Sequence, residues 1–232
     1  MPLVIKICGL KTPEALDVAL ESGSDLVGFV FFSASPRHLG LDAARALGPR
    51  VKNRAGKVAL TVDADDATLA GIVEALKPDM LQLHGSETPE RVRAVRERFG
   101  LPVMKALPIA QRSDLSAIAR YATVADRLIF DARAPQHATR PGGLGQPFDW
   151  TLLKGIDPAI WFMLSGGLDA GNVAQAVAIT GAPGVDVSSG VERAPGEKDP
   201  EKIRAFIRAA RAADPSSPLP AGERSTVRST VG

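Results

Sequence analysis

Short, nearly unbroken apolar runs alternate along this chain with segments whose apolar residues recur at i, i+3, i+4 and i+7. The runs are Leu3 to Cys8, Leu26 to Phe31, Lys57 to Val62, Met80 to His84, Pro102 to Leu107, Arg127 to Asp131, Ile160 to Leu164 and Gly184 to Ser188, eight in all. Leu69, Ile72, Val73 and Leu76 form one helical stripe, Leu115, Ile118, Ala119 and Ala122 a second, and Ile203, Phe206, Ile207 and Ala210 a third. Thr12-Pro13, Asp66, Thr88-Pro89 and Ser113 supply capping side chains or a first-turn proline where helices should begin. Between Ala132 and Ile160 the pattern weakens to a glycine-rich loop, Pro141-Gly142-Gly143-Leu144-Gly145, and a short helix near Trp150 to Lys154. Strands without polar alternation are covered on both faces and therefore parallel. Eight of them joined by helices predict one closed α/β domain, a TIM (β/α)8 barrel over residues 1–213. An open doubly wound sheet is the alternative, but Cys8-Gly9-Leu10-Lys11 is not the glycine fingerprint that such a sheet carries after its first strand. From Asp214 onward periodicity stops, and residues 214–232 are predicted to be a disordered tail.

Composition narrows the partners. The 232 residues are 45% hydrophobic, enough for a barrel core, and 28 basic against 26 acidic residues leave a net charge of +2 with no concentrated patch. Neither nucleic acid nor a membrane surface is favoured by such a balance. One cysteine allows no internal disulfide and no cysteine zinc site, so a reducing cytoplasm is the expected location. The N-terminus does not read as a leader, and no apolar stretch approaches the ~18 residues of a membrane span. Oligomeric state, monomer or homodimer, is left open.

In a barrel of this kind the chemistry gathers where strands end. The ends hold Cys8, the loop with Arg37, His84-Gly85, Lys105, Asp131, Ser165-Gly166-Gly167 and Asp186-Val187-Ser188-Ser189-Gly190. A free cysteine is most often a small buried apolar group. Here Lys6 shares its strand face and could help stabilise a thiolate, so that Cys8 is also a candidate base, nucleophile or ligand. Glycines in the two last strand ends leave backbone N–H groups bare, the arrangement that grips phosphate, although tight turns alone would also use glycine. Pro36 before Arg37 sets a guanidinium suited to a carboxylate, or else an ordinary solvated arginine. Asp131 ends an apolar run; burial would raise its pKa and let it act as a general acid, and a helix cap or ion pair is the plainer alternative. His38 and His84 have no partner at metal-ligand spacing, so no metal is expected. Base, acid and phosphate grip together describe an acid–base isomerase of a sugar phosphate.

Six ordered motifs sharpen this reading: Lys6-Ile7-Cys8-Gly9; Ser35-Pro36-Arg37; Leu81-Gln82-Leu83-His84-Gly85; Gly142 to Gly145 with Phe148-Asp149-Trp150; Ser165-Gly166-Gly167-Leu168 with Asn172-Val173; and Gly184 to Glu192 with Pro195-Gly196 and Lys198-Asp199. From Ile5 to about Ile207 the chain resembles the phosphoribosylanthranilate isomerase family of tryptophan biosynthesis. The resemblance implies a cofactor-free Amadori rearrangement of N-(5-phosphoribosyl)anthranilate, a small phosphorylated substrate, with Asp131 as acid and Cys8 as base. It implies the anthranilate carboxylate at Arg37, the phosphate at Gly166, Gly167, Ser189 and Gly190, and the sugar at Asp186. Leu144 stands where the family commonly has threonine. A sister aminoaldose isomerase would carry aspartate at the end of strand one, where this chain has Cys8; a barrel that only binds a phosphorylated ligand is the remaining alternative.

Overall fold

The computed structural model describes residues 2–134, 142 and 147–214. Eight strands, β1 (Val4–Cys8), β2 (Leu26–Phe31), β3 (Gly56–Thr61), β4 (Met80–Leu83), β5 (Val103–Ile109), β6 (Arg127–Ala132), β7 (Phe162–Leu164) and β8 (Gly184–Val187), pair in parallel and in order, and β8 closes on β1. Helices α1 (Pro13–Glu21), α2 (Leu41–Leu47), α3 (Asp66–Leu76), α4 (Pro89–Phe99), α5 (Ala117–Tyr121), α6 (Val173–Thr180) and α7 (Pro200–Ala212) lie between strands and after the last.

Strand alternation sorts the core into two parts. In β1 Ile5 and Ile7 point outward into the cluster shared with the helices, whereas Val4, Lys6 and Cys8 point into the barrel. The lower interior is filled by Val58, Met80, Met104, Ile129 and Met163, three of them flexible thioethers that fit an irregular taper. Above them lie the buried polar side chains of Lys6 and Gln82, and above those Cys8, Val30 and Leu60. The apolar floor therefore supports a polar rim.

Two of the four helix starts read from sequence are real caps. Thr12 and Thr88 accept from the N–H of Ala15 and Arg91, each followed by proline, and the cap of α3 is Asp65, one residue before the Asp66 expected. Ser113 does not start a helix: Gln111 caps a 3-10 turn over Arg112–Ser116, because the Asp114 carboxylate takes the N–H groups of Ala110 and Gln111. β7 begins at Phe162 rather than Ile160, whose N–H closes a turn on the carbonyl of Asp157. β5 runs on through Pro108 to Ile109, held by its pairing with Asp131 and Ala132 of β6. The short helix near Trp150 is a 3-10 turn, Trp150–Leu153.

Two elements lacked a sequence signal, α2 and a hairpin of β9 (Glu192–Ala194) and β10 (Glu197–Lys198). At the far end Asp214, the first residue of the expected tail, accepts from the N–H of Leu3 at 2.8 Å, tying the end of α7 to the entrance of β1. The rest of that tail, 215–232, and positions 141 and 143–145 of the glycine-rich loop lie outside the described residues.

Candidate active site

Cys8 ends β1 with its side chain directed into the barrel mouth, where the neighbouring strand offers Gly28: a Cβ there would stand 2.9 Å from the Cys8 sulfur. Lys6, two residues earlier and fully buried, donates to Asp186 Oδ1 at 2.7 Å, and Ser165 Oγ lies 3.2 Å from Asp186 Oδ2. Burial pulls the Lys6 ammonium down, but Asp186 and then Cys8 more than offset it, and its pKa ends above the ordinary lysine value. The thiol behaves differently from the sequence expectation. Burial pushes Cys8 up, and Lys6 and Lys198, which pull it down, do not overcome burial and the nearby Asp186. Lys6 is shared between a carboxylate and the thiol, which is why it does not by itself make a thiolate.

Asp131 reaches the same mouth from β6. Its Oδ1 accepts from the N–H of Ala132 at 2.9 Å, and its Oδ2 lies 3.2 Å from His84 Nε2. His84 Nδ1 is in turn 3.1 Å from Gln82 Nε2, an arrangement in which Gln82 donates to Nδ1 and leaves the hydrogen on Nε2, facing the carboxylate. Gly142 and Gly166 close over this pair: a Cβ at 142 would meet Asp131 Oδ2 at 2.4 Å, and one at 166 would meet the N of Ala132 at 2.5 Å. His84 was visible in the sequence as a strand-end residue without a role; its partner is distant in the chain, so only the fold supplies one.

The turns after β7 and β8 lie between the strand that ends in Asp131 and the strand that ends in Cys8, since the barrel order runs β6-β7-β8-β1. Gly166 and Gly167 both take left-handed φ angles of +85° and +67°, which glycine alone adopts without strain. Among the described residues none accepts a hydrogen bond from either N–H. Asn172 Nδ2 fastens the Gly167 carbonyl at 2.8 Å. Ser189 lines the mouth, but Gly190 does not: it packs against the other turn, where a Cβ would fall 1.9 Å from the Leu168 carbonyl oxygen. Its glycine is needed for the close approach of two backbones.

Arg37, in the loop after β2, is buried, not solvated. Its Nε and Nη2 donate to Glu192 at 2.7 and 2.8 Å, and Lys198 Nζ donates to the same carboxylate at 2.9 Å. These bonds hold the Glu192 pKa low against burial, while burial draws Lys198 down to about 8 despite Glu192. Lys105 is a correction to the strand-end set. Alternation turns it outward from β5, where it pairs with Glu87 at 2.8 Å and serves the loop after β4.

Cys8, Arg37, His84, Asp131, Gly166, Gly167, Asp186 and Ser189 thus meet around one cavity of about 640 Å3, mouth included, with an apolar wall of Val30, Phe32, Leu60 and Val62. Among the described residues no group of three or more His, Cys, Asp or Glu side chains could share a metal ion. Residues 5–209 match the model of the family described as N-(5'-phosphoribosyl)anthranilate (PRA) isomerase. An N-(5'-phosphoribosyl)anthranilate isomerase of Rhodopseudomonas palustris is 64% identical over 214 residues, covering 92% of this chain and 98% of the relative. The crystal structure of the phosphoribosyl anthranilate isomerase from Thermotoga maritima superposes with a TM-score of 0.82 at 32% identity, covering 90% of this chain and 98% of that one. A further solved isomerase, in complex with reduced 1-(o-carboxyphenylamino)-1-deoxyribulose 5-phosphate, gives a TM-score of 0.79 at 30% identity over 90% of this chain and 98% of its own.

Proposed function

The chain belongs to the N-(5'-phosphoribosyl)anthranilate isomerase family and is an isomerase of tryptophan biosynthesis, and we propose that Asp131 and Cys8 are the acid and base of its Amadori rearrangement. The observation that carries this assignment is the placement of one carboxyl and one thiol on β6 and β1, facing one cavity across the two glycine turns. A phosphate held by the Gly166, Gly167 and Ser189 backbone would set the ribose between them, and the aromatic ring would lie along the apolar wall toward Arg37. Asp131, starting protonated, gives its proton to the ribose ring oxygen as the C1–O bond breaks, and the nitrogen lone pair completes a protonated Schiff base. Asp131 ends as the carboxylate that accepts from Ala132 and His84. Cys8, as the thiolate, takes the proton from C2 and becomes the thiol, and the electrons of that C–H bond form the enolamine. The C2 hydroxyl then loses a proton as C1 gains one, leaving the ketone of 1-(2-carboxyphenylamino)-1-deoxyribulose 5-phosphate.

The raised thiol pKa works against the base role until the first step has occurred. The iminium formed in the first step brings a positive charge beside Cys8, the sign that draws a thiol down toward thiolate. Asp186, engaged by Lys6 and Ser165, stands where it can accept from the sugar hydroxyls. The reading extends to a cytoplasmic enzyme acting on a small phosphorylated substrate; no helix among the described residues is long and apolar enough to cross a membrane.

The test is fluorescence-monitored consumption of freshly generated phosphoribosylanthranilate. Asp131→Asn and Cys8→Ser should each abolish turnover while product binding stays within a few-fold. Either variant turning over at the wild-type rate removes that residue from the assignment.

A further inference from the structure

The hairpin of β9 and β10 takes no part in the acid–base steps, yet it is fixed to the active site from three directions. Glu192 opens it and holds Arg37 through two nitrogens of one guanidinium edge. Lys198 closes it, and its ammonium binds Glu192 Oε1, the Ser188 carbonyl at 2.8 Å and Ser188 Oγ, which itself donates to the Cys8 carbonyl at 3.1 Å. Gly196 at the turn has φ +81° and lies so close to the loop before Arg37 that a Cβ would meet the Pro36 carbonyl oxygen at 2.4 Å; Lys11 Nζ caps that same carbonyl at 3.1 Å. The hairpin therefore grips both the arginine and the backbone that carries it.

We infer that Glu192 is a specificity-determining positioning residue: it holds the Arg37 guanidinium at the cavity wall in the one orientation that receives the carboxylate of the substrate's aromatic acid. This rests on the reading of Arg37 as the carboxylate site. A guanidinium recognises a carboxylate through a planar fork, so the angle of its plane decides whether the contact forms. An arginine on a loop has many rotamers, and a second carboxylate bonded along one edge removes most of them. Lys198 supplies a second donor to Glu192 Oε1, so that both oxygens of Glu192 accept and neither can be replaced by an amide N–H without setting donor against donor.

The experiment compares kcat and KM for two substrates that differ only in the group concerned, N-(5-phosphoribosyl)anthranilate and N-(5-phosphoribosyl)aniline, in wild type and Glu192→Gln. Wild-type conversion of the first is the control on the function itself. Wild type should prefer the carboxylated substrate, and Glu192→Gln should lose roughly tenfold to a hundredfold in kcat/KM for it, mostly in KM. For the aniline substrate the change should stay within about threefold. A structural role would lower both substrates alike, and that result overturns the inference. So does a gain for the carboxylated substrate, which would mean that removing the negative charge of Glu192 beside Arg37 and Lys198 outweighs orientation. Wild type treating both substrates alike removes the Arg37 reading and the inference with it, while leaving the isomerase reaction standing. Gly196→Ala displaces the hairpin from Pro36 without touching the charges; if Glu192→Gln does not fold, this variant should show the same selective loss, and an equal loss on both substrates again refutes the idea.

Discussion

Replacing Asp186 with asparagine isolates the most deeply buried charge in the barrel. Lys6 is fully buried, and its nearest counter-charge is Asp186 Oδ1 at 2.7 Å. Burial is the largest influence on Lys6 and disfavours its charge; only Asp186, with Cys8 behind it, keeps the ammonium above its ordinary pKa. Asparagine keeps the shape and one acceptor but removes the charge, so burial then dominates and the Lys6 pKa falls below the lysine value. Removing one partner of a buried pair costs about 3–5 kcal/mol. For a domain of this size each 1 kcal/mol moves Tm by about 2–4 °C, so Asp186→Asn should melt roughly 6–20 °C below wild type at pH 7.

The pH dependence has a definite sign. A raised lysine pKa stabilises the folded state fully below the unfolded value and loses that contribution as pH rises through the folded value. The gap between wild type and variant should therefore be full at pH 7 and shrink toward pH 10.5, the ordinary value from which Lys6 is raised, as the variant's Lys6 neutralises at no further cost. Circular-dichroism melts at pH 7 and pH 10 read both. A drop under about 2 °C at pH 7, or a gap that widens with pH, would refute the claim that Asp186 holds this charge in place.

Further outcomes follow from the same geometry. Because burial raises the Cys8 thiol, and it is the single cysteine of the chain, alkylation by iodoacetamide in the free enzyme should lag a model thiol at pH 8 and climb steadily above pH 9; a rate equal to the model thiol at pH 8 contradicts the raised value. Lys6→Met should slow that alkylation further, since Lys6 pulls the thiol down; acceleration would reverse its assigned sign. Gly190→Ala forces a methyl into the Leu168 carbonyl oxygen, and separating the two turns should cost about 1–3 kcal/mol and weaken product binding roughly tenfold, measured by calorimetry; unchanged affinity would uncouple the turns from the phosphate.

The barrel was legible because its cause is local. Unbroken apolar runs such as Leu26 to Phe31 and Arg127 to Asp131 can be satisfied only by burial on both faces, and the capping threonines before Pro13 and Pro89 announce helices without help from the rest of the chain. Strand ends then pointed to Cys8, Asp131 and the two glycine turns, since their position in the barrel follows from the strand count. The period of two also separates Lys6, which faces in, from Lys105, which faces out; reading Lys105 as a rim residue overlooked that alternation, with Met104 beside it on the inner face.

What the chain alone determined, then, is which residues stand at the mouth, because membership in a strand end depends on neighbours a few positions away. Only the tertiary structure decided what state they are in. The thiol of Cys8 is pushed up because burial and Asp186, 178 positions on in the sequence, outweigh Lys6; Asp131 faces His84 from another strand; and Arg37 is held by Glu192 across 155 positions. Charge, tautomer and orientation are set by groups within a few ångströms in space, and closing the barrel is what brings those groups together.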